Sequence, residues 1–179
     1  DAHTLIDTAA NGRLLQSIKT GLRDPDYNGT MIFDRFYPMD ELISIILEYL
    51  KIRAESQFGR ECYGVVLGRP VRFSDQIEVT QRAEEILFKA ARLAGFNDIR
   101  FQLEPIGALH LHHRSSIDRH IALVFDFGGG TLDLTIAEVG GRTPPKILST
   151  TGVLVGGDDL DKEIMRSLLK YFGEGSRLK

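Results

Sequence analysis

The stretch Ile121-Ala-Leu-Val-Phe-Asp126-Phe-Gly-Gly-Gly-Thr131-Leu-Asp133-Leu-Thr-Ile-Ala-Glu-Val139 decides the fold of this chain. An apolar run ends at Asp126, and three consecutive glycines follow it. Beyond Thr131, apolar and polar residues alternate with a period of two, which is typical of a half-buried strand. The stretch therefore predicts a strand, a glycine turn and a second strand.

The glycine turn has the chemistry of a phosphate-binding loop. Glycines let main-chain N–H groups approach phosphate oxygens, because no Cβ stands in the way. The Walker loop and the dinucleotide fingerprint both continue into a helix, whereas neither Gly-Lys-Ser/Thr nor a helical period follows here. Asp126 and Asp133 flank the turn, and carboxylates bind Mg²⁺ directly or through its waters. An ordinary tight hairpin is the alternative, although three glycines exceed what such a turn needs. The residues of the turn are Gly128, Gly129, Gly130 and Thr131.

Two further segments place polar groups where nucleotides bind in α/β proteins. Gly156 and Gly157 precede a predicted helix N-terminus, which favours anions, so we expect a second nucleotide contact rather than a simple loop and cap. Glu104 ends a predicted strand, before Pro105. If that strand neighbours the one ending at Asp126, both carboxylates face one cleft, where Glu104 could order a water or a metal ligand. The alternative for Glu104 is a solvated acid in a first helical turn.

Four histidines and one cysteine are candidates for metal binding and for nucleophilic chemistry. Adjacent His112 and His113 point in different directions on a helix, and His110 with His113 supplies only two ligands. A metal site is therefore the less favoured interpretation. No internal disulfide is possible with Cys62 alone, and nothing local indicates a reactive thiol. The four histidines are His110, His112, His113 and His120.

Composition restricts the class of protein. The hydrophobic content of 42% and charged content of 26% are ordinary for a soluble globular domain. The net charge of −3 gives no reason to expect nucleic acid or an anionic membrane as a partner. No apolar run approaches the length of a membrane span, and the start lacks a signal-peptide pattern. With a single cysteine, these features predict a cytoplasmic protein.

The order of predicted elements is strand, helix, strand, helix, then an antiparallel meander and a final helix. Helices are predicted at 38–58, 81–94 and 105–113 and after Gly157; strands are predicted near 31–33, at 63–67, 99–103 and 146–154, and in the opening hairpin. For the first helix the apolar spacing predicts a buried face. That face comprises Leu42, Ile45, Ile46, Tyr49 and Leu50. This order predicts an α/β fold with a mixed sheet flanked by helices.

Three segments resemble the nucleotide-binding domain of DnaK-type heat-shock chaperones, in the actin-like ATPase superfamily. Residues 124–133 resemble the family's second phosphate loop, 103–109 its Glu-Pro-x-Ala-Ala segment, and 155–161 its Gly-Gly-Glu/Asp-Asp-Phe-Asp segment. The amino-acid sequence of residues 63–71 is most similar to that of the YegD-like branch. The resemblance implies a ribonuclease H-like α/β subdomain that is truncated.

The resemblance also implies roles for the matching residues. Asp126 and Asp133 would lie beside Mg²⁺ through water, the glycine turn would hold the phosphates of ATP or ADP, and Gly156 and Gly157 would contact the nucleotide from the other side. Thr131 would lie near the attacking water. Catalytic roles are implied for Thr131, for Glu104 in the polar network, and for Lys19, which would stabilise the transferring phosphate.

The resemblance further implies that the chain is an internal piece of its domain. Residues 1–60 would be a lead-in with a long helix, 61–155 the core, and 156–179 the start of a second lobe. A first phosphate hairpin is expected before Asp1 and an adenosine-binding segment after Lys179. We therefore expect the piece alone to bind nucleotide weakly or not at all, to be inactive, and to self-associate through uncovered edges and apolar surface.

Partners of the parent are implied in the same way. They would be nucleotide together with unfolded peptide clients or co-chaperones. An actin-like filament or scaffold ATPase is the alternative. Bacterial actin homologues often have Thr-Glu after the glycines, whereas Leu132-Asp133 stands here and favours the chaperone. A sugar kinase is a weaker third option, since no hexose-binding signal is present.

Overall fold

Helices and strands alternate along a mixed α/β chain, seen in a computed structural model that describes Leu15 and residues 18–171. The helices are α1 Ile18–Gly21, α2 Met39–Phe58, α3 Ile77–Leu93, α4 Glu104–Ser115 and α5 Gly157–Leu168, with a 3₁₀ turn at Leu169–Tyr171. The strands are β1 Gly29–Ile32, β2 Arg35–Pro38, β3 Gly64–Arg69, β4 Asp98–Leu103, β5 His120–Phe127, β6 Leu132–Val139 and β7 Lys146–Val153. They form the sheets β1-β2, β3-β4 and β5-β6-β7.

The chain divides into two compact units. The first unit comprises 1–67 and 73–101, and the second comprises 68–72 and 102–179. The division expected from the resemblance, at residues 60 and 155, concerns the parent domain and stays a prediction.

Helix α2 ends where the sequence predicts and begins one residue later, at Met39. Pro38 precedes it in an extended conformation, and Asp40 and Glu41 occupy its first turn, where they favour the positive end of the helix dipole. Gly59 ends the helix in the left-handed conformation with φ of 64°, and its N–H donates to the Glu55 carbonyl.

The predicted buried face of α2 is wrong except at Leu42. Buried positions are Met39, Leu42, Ile43 and Ser44. By contrast, Ile45, Ile46, Tyr49 and Leu50 are all exposed. Apolar residues occupy more than one side of this helix, so spacing alone does not select the packed side. Met39, Ile43 and Leu47, four residues apart, face the core of the first unit with residues of α3.

Two other boundaries differ from the predictions. Helix α3 starts at Ile77, four residues before the predicted start at 81, and Gln76 takes the N-cap position. Strand β2 was not predicted, because Pro38 was interpreted as the start of a helix. In the structure β2 pairs antiparallel with β1 around Phe33, whose φ is 53°.

The second unit contains the predicted meander. Strand β6 pairs antiparallel with β5 on one side and with β7 on the other, with a bulge between Ile136 and Ala137. Helix α4 covers one face through Ile106 and Leu109, which pack against Ala137 and Val139. The strand–turn–strand prediction is therefore confirmed.

Candidate functional site

The glycine turn closes the hairpin between β5 and β6. The Gly128 N–H donates to the Thr131 carbonyl at 2.8 Å. Phe127 pairs with Leu132 beside the turn. The next pair along the two strands is Asp126 and Asp133, which lie directly opposite each other. Opposite residues of an antiparallel pair share one face, so the hairpin brings together the two carboxylates that the sequence selected.

Asp133 is a buried carboxylate with fixed surroundings. Only 1% of its surface is exposed, and its Oδ1 accepts a hydrogen bond from the Val71 N–H at 3.1 Å. Gly152 lies opposite it on β7, where a Cβ would come within 2.7 Å of Oδ1. The carboxylate is thus held between two segments of the second unit.

The N-terminus of α5 packs directly on the glycine turn. The N–H groups of Gly157 and Asp158 donate to the carbonyls of Gly128 and Gly129 at 2.9 and 2.7 Å. A Cβ at Gly156 would lie 2.4 Å from the Gly129 oxygen. The two glycine segments singled out from the sequence therefore meet, main chain against main chain.

These contacts use the amide groups that a helix N-terminus commonly offers to anions. The next two amides, of Asp159 and Leu160, both approach the Gly156 carbonyl, at 3.1 and 3.4 Å. In return, the Asp159 carboxylate accepts the Gly156 N–H at 3.0 Å. The start of α5 therefore supports the turn through hydrogen bonds, and a direct contact of Gly156 and Gly157 with nucleotide stays a prediction.

Comparison with known proteins identifies the family. The sequence profile of the Hsp70 protein family matches residues 22–179. The chain belongs to the Hsp70 family. The fold is accordingly that of the actin-like ATPases, as the resemblance implied.

Individual relatives agree with this assignment. A chaperone protein HscA homolog from Chromobacterium violaceum is 37% identical over 135 residues, which are 74% of this chain and 20% of the relative. Another, from Methylobacillus flagellatus, is 36% identical over 132 residues, covering 73% and 20%. The chain thus spans about a fifth of the length of the curated relatives it matches. These relatives are HscA homologs, so the YegD-like branch stays a prediction.

The other predicted site residues of this Hsp70 segment, Glu104 and Lys19, lie outside the β5–β6 hairpin. Glu104 begins α4 and lies beside Gly68, where a Cβ would be 3.3 Å from its Cγ. Its preceding strand β4 pairs with β3, and β5 pairs with β6. A cleft shared by Glu104 and Asp126 therefore stays a prediction. Lys19 lies in α1 of the first unit, while the other candidates lie in the second.

The structure adds contacts that the sequence analysis missed. The Val71 amide comes from the distant segment 68–72, and no local pattern pointed to its pairing with Asp133. The Asp159 cap, by contrast, follows from the sequence, since an acid three residues after Gly156 has the spacing of a capping box. Among the described residues, no three His, Cys, Asp or Glu side chains converge as a metal-binding group. None of the described helices combines the length and apolar character needed to cross a membrane.

Proposed function

We propose that this chain carries one half of the ATP site of an Hsp70 chaperone. The observation that carries the proposal is the β5–β6 hairpin, where Asp126 and Asp133 oppose each other next to a three-glycine turn. Glycines leave the main chain open to phosphate oxygens. Within the part of the chain that the structure describes, no third His, Cys, Asp or Glu converges with these two carboxylates as a metal-binding group, which suits Mg²⁺ that keeps most of its water shell. The donor set therefore fits nucleotide phosphates and Mg²⁺.

Each residue takes a role that its chemistry allows. The glycines at 128–130 would hold the phosphates, and Asp126 and Asp133 would hold waters of Mg²⁺. Thr131 would place its hydroxyl near the attacking water, Glu104 would complete the polar network, and Lys19 would stabilise the transferring phosphate. When bound, ATP supplies the γ-phosphoryl group and Mg²⁺ neutralises its charge.

The activity belongs to the longer protein in this proposal. Since the chain spans about a fifth of its relatives, we assign hydrolysis, peptide clients and co-chaperones to a cytoplasmic parent. The 179-residue chain alone is expected to bind Mg-ATP weakly or not at all. Membership of the Hsp70 family supports the chaperone over the filament or scaffold alternative.

The test compares two acids in the parent protein. Asp126→Asn should lower the turnover of Mg-ATP at least tenfold, about 1.4 kcal/mol, because it weakens the hold on the hydrated cation. Asp98→Asn, at an exposed position of β4, is the matched control and should leave turnover unchanged. Equal turnover of the two variants would contradict the assignment of Asp126.

A second measurement tests whether the site is incomplete. Calorimetric titration of the 179-residue chain with Mg-ATP should give little or no heat of binding. Micromolar affinity together with measurable turnover would show that the chain contains a whole site.

A further inference from the structure

Two histidines meet where α4 gives way to β5. His112 lies in the last turn of α4 and His120 is the first residue of β5. Their Nε2 atoms are 3.0 Å apart, and the rings stand nearly perpendicular, at 86°. Both side chains are exposed, so ions in solution can reach them.

Hydrogen bonding determines which ring nitrogen of His120 carries the proton and which carries the lone pair. Its Nδ1 lies 2.9 Å from the Asp118 carbonyl oxygen, which only accepts, so Nδ1 carries the proton. Neutral His120 therefore presents the lone pair of Nε2 towards His112. A ring N–H held by a main-chain carbonyl is also the arrangement that orients histidines bound to metals.

We propose that His112 and His120 together bind a divalent transition-metal cation, with Zn²⁺ as the representative ion. Zn–N bonds are about 2.0–2.1 Å long, so two nitrogens on one zinc ion lie roughly 3 to 3.4 Å apart, depending on the angle between the bonds. The observed 3.0 Å lies at the short end of that range. A small separation of the rings admits the ion in place of their mutual hydrogen bond.

Water fills the other positions of this site. No third His, Cys, Asp or Glu converges on the pair among the described residues. A further polar side chain beside the pair is Ser116, whose Oγ is 3.5 Å from the His112 Nε2. The two nitrogens favour zinc, copper or nickel over Mg²⁺ or Ca²⁺, which prefer oxygen ligands.

The neighbouring histidines are separate from the pair. His113 uses its Nδ1 to accept the Gly140 N–H at 2.9 Å, so that nitrogen already has a partner. His110 is two residues before His112 on α4, and positions two apart do not share a helix face. His110 is exposed on the same helix and is therefore a matched control.

Zinc chloride titrated into the 179-residue chain by calorimetry tests the proposal. We expect one site per chain, weakened at least tenfold in His112→Gln and in His120→Gln, because each variant removes one of two ligands. His110→Gln should bind as the unsubstituted chain does. Undiminished binding by either ligand variant, or the absence of zinc binding by the unsubstituted chain, would overturn the proposal.

A measurement on the unsubstituted chain covers the case of a variant that does not fold. Zinc should shift the NMR ring-proton resonances of His112 and His120, and those of His110 should stay in place. Shifts at His110 with none at the pair would overturn the proposal. Neither experiment depends on ATP, so failure here leaves the nucleotide proposal standing.

Discussion

At Gly156 the main chain leaves no space for a side chain. Its φ of −150° is extended and open to any residue, so conformation alone does not require glycine. Space does, since a Cβ would lie 2.4 Å from the Gly129 oxygen and 2.5 Å from the Gly130 nitrogen. Gly156→Ala should therefore lower the free energy of unfolding by about 1–3 kcal/mol, measured by urea denaturation.

Gly107 offers the matched control for this substitution. It lies inside α4, and a Cβ there would meet nothing within 4 Å. Alanine in a helix interior is favoured over glycine by about 0.5–1 kcal/mol. Gly107→Ala should therefore leave stability unchanged or raise it, and a loss equal to that of Gly156→Ala would contradict the steric explanation.

The contribution of Glu55 to the stability of the fold depends on pH. The Cys62 N–H, 2.9 Å from its Oε1, lowers the pKa of Glu55 from its usual value, and Lys51 lowers it further. Reciprocally, hydrogen bonding to Glu55 raises the pKa of Lys51. A carboxylate with a lowered folded-state pKa stabilises the fold above its unfolded pKa, about 4.3. That contribution is lost as pH falls through the lower folded value.

Glu55→Gln should therefore destabilise the chain near neutral pH and flatten its loss of stability towards pH 3. Urea midpoints measured from pH 7 to pH 3 check this, with Glu48→Gln on the exposed side of α2 as the control. The raised pKa of Lys51 adds stability below about pH 10.4 that is lost as pH rises through the folded value. Parallel acid profiles for the chain and for Glu55→Gln would contradict the assignment.

At the scale of elements, the sequence predicts correctly those features that residues close together in the chain determine. The β5–β6 hairpin follows from alternation on both sides of the glycines, and the end of α2 follows from Gly59. The packed side of α2 did not follow, because Ile45 and Ile46 are as apolar as Ile43, and only the position of α3 distinguishes them. The pairing of β4 with β3 rather than β5 is likewise a tertiary choice.

Asp133 links β6 to the segment 68–72. Asp133→Ala leaves the Val71 N–H without this acceptor, which should cost about 1–3 kcal/mol, whereas Asp133→Asn retains a carbonyl oxygen and should cost less. Amide hydrogen exchange at Val71 should quicken more in the alanine variant than in the asparagine variant. Unchanged exchange in Asp133→Ala would show that this hydrogen bond does not hold the segment.

At the scale of the whole molecule, the candidate site combines what sequence can and cannot reveal. Asp126 and Asp133 were predictable because one hairpin contains both of them. The contact between α5 and the turn needs two segments that are distant in the chain. The His112–His120 pair was missed for a similar reason: helical spacing separates His112 from His113, but only the path of the connection brings back His120.

In the part of the chain that the structure describes, one face of the sheet of the second unit is exposed. On β5 this face carries Ile121, Leu123, Phe125 and Phe127, which are 43 to 62% exposed. Within the described residues β5 and β7 are edge strands, each paired on one side only. Apolar faces beside open edges promote association between copies of a chain. The chain should therefore self-associate as its concentration rises, with a weight-average mass above 20.0 kDa by light scattering.

Two substitutions test whether association depends on this face of the sheet or on nonspecific contacts between exposed apolar residues. Leu123→Lys puts a charge in the centre of the face and should shift association to higher concentration, because burying a lysine against a second copy is costly. Ile117→Lys changes an isolated apolar residue that is 88% exposed outside the sheet, and should have little effect. A strictly monomeric chain at high concentration, or equal effects of the two variants, would show that the exposed face does not drive association.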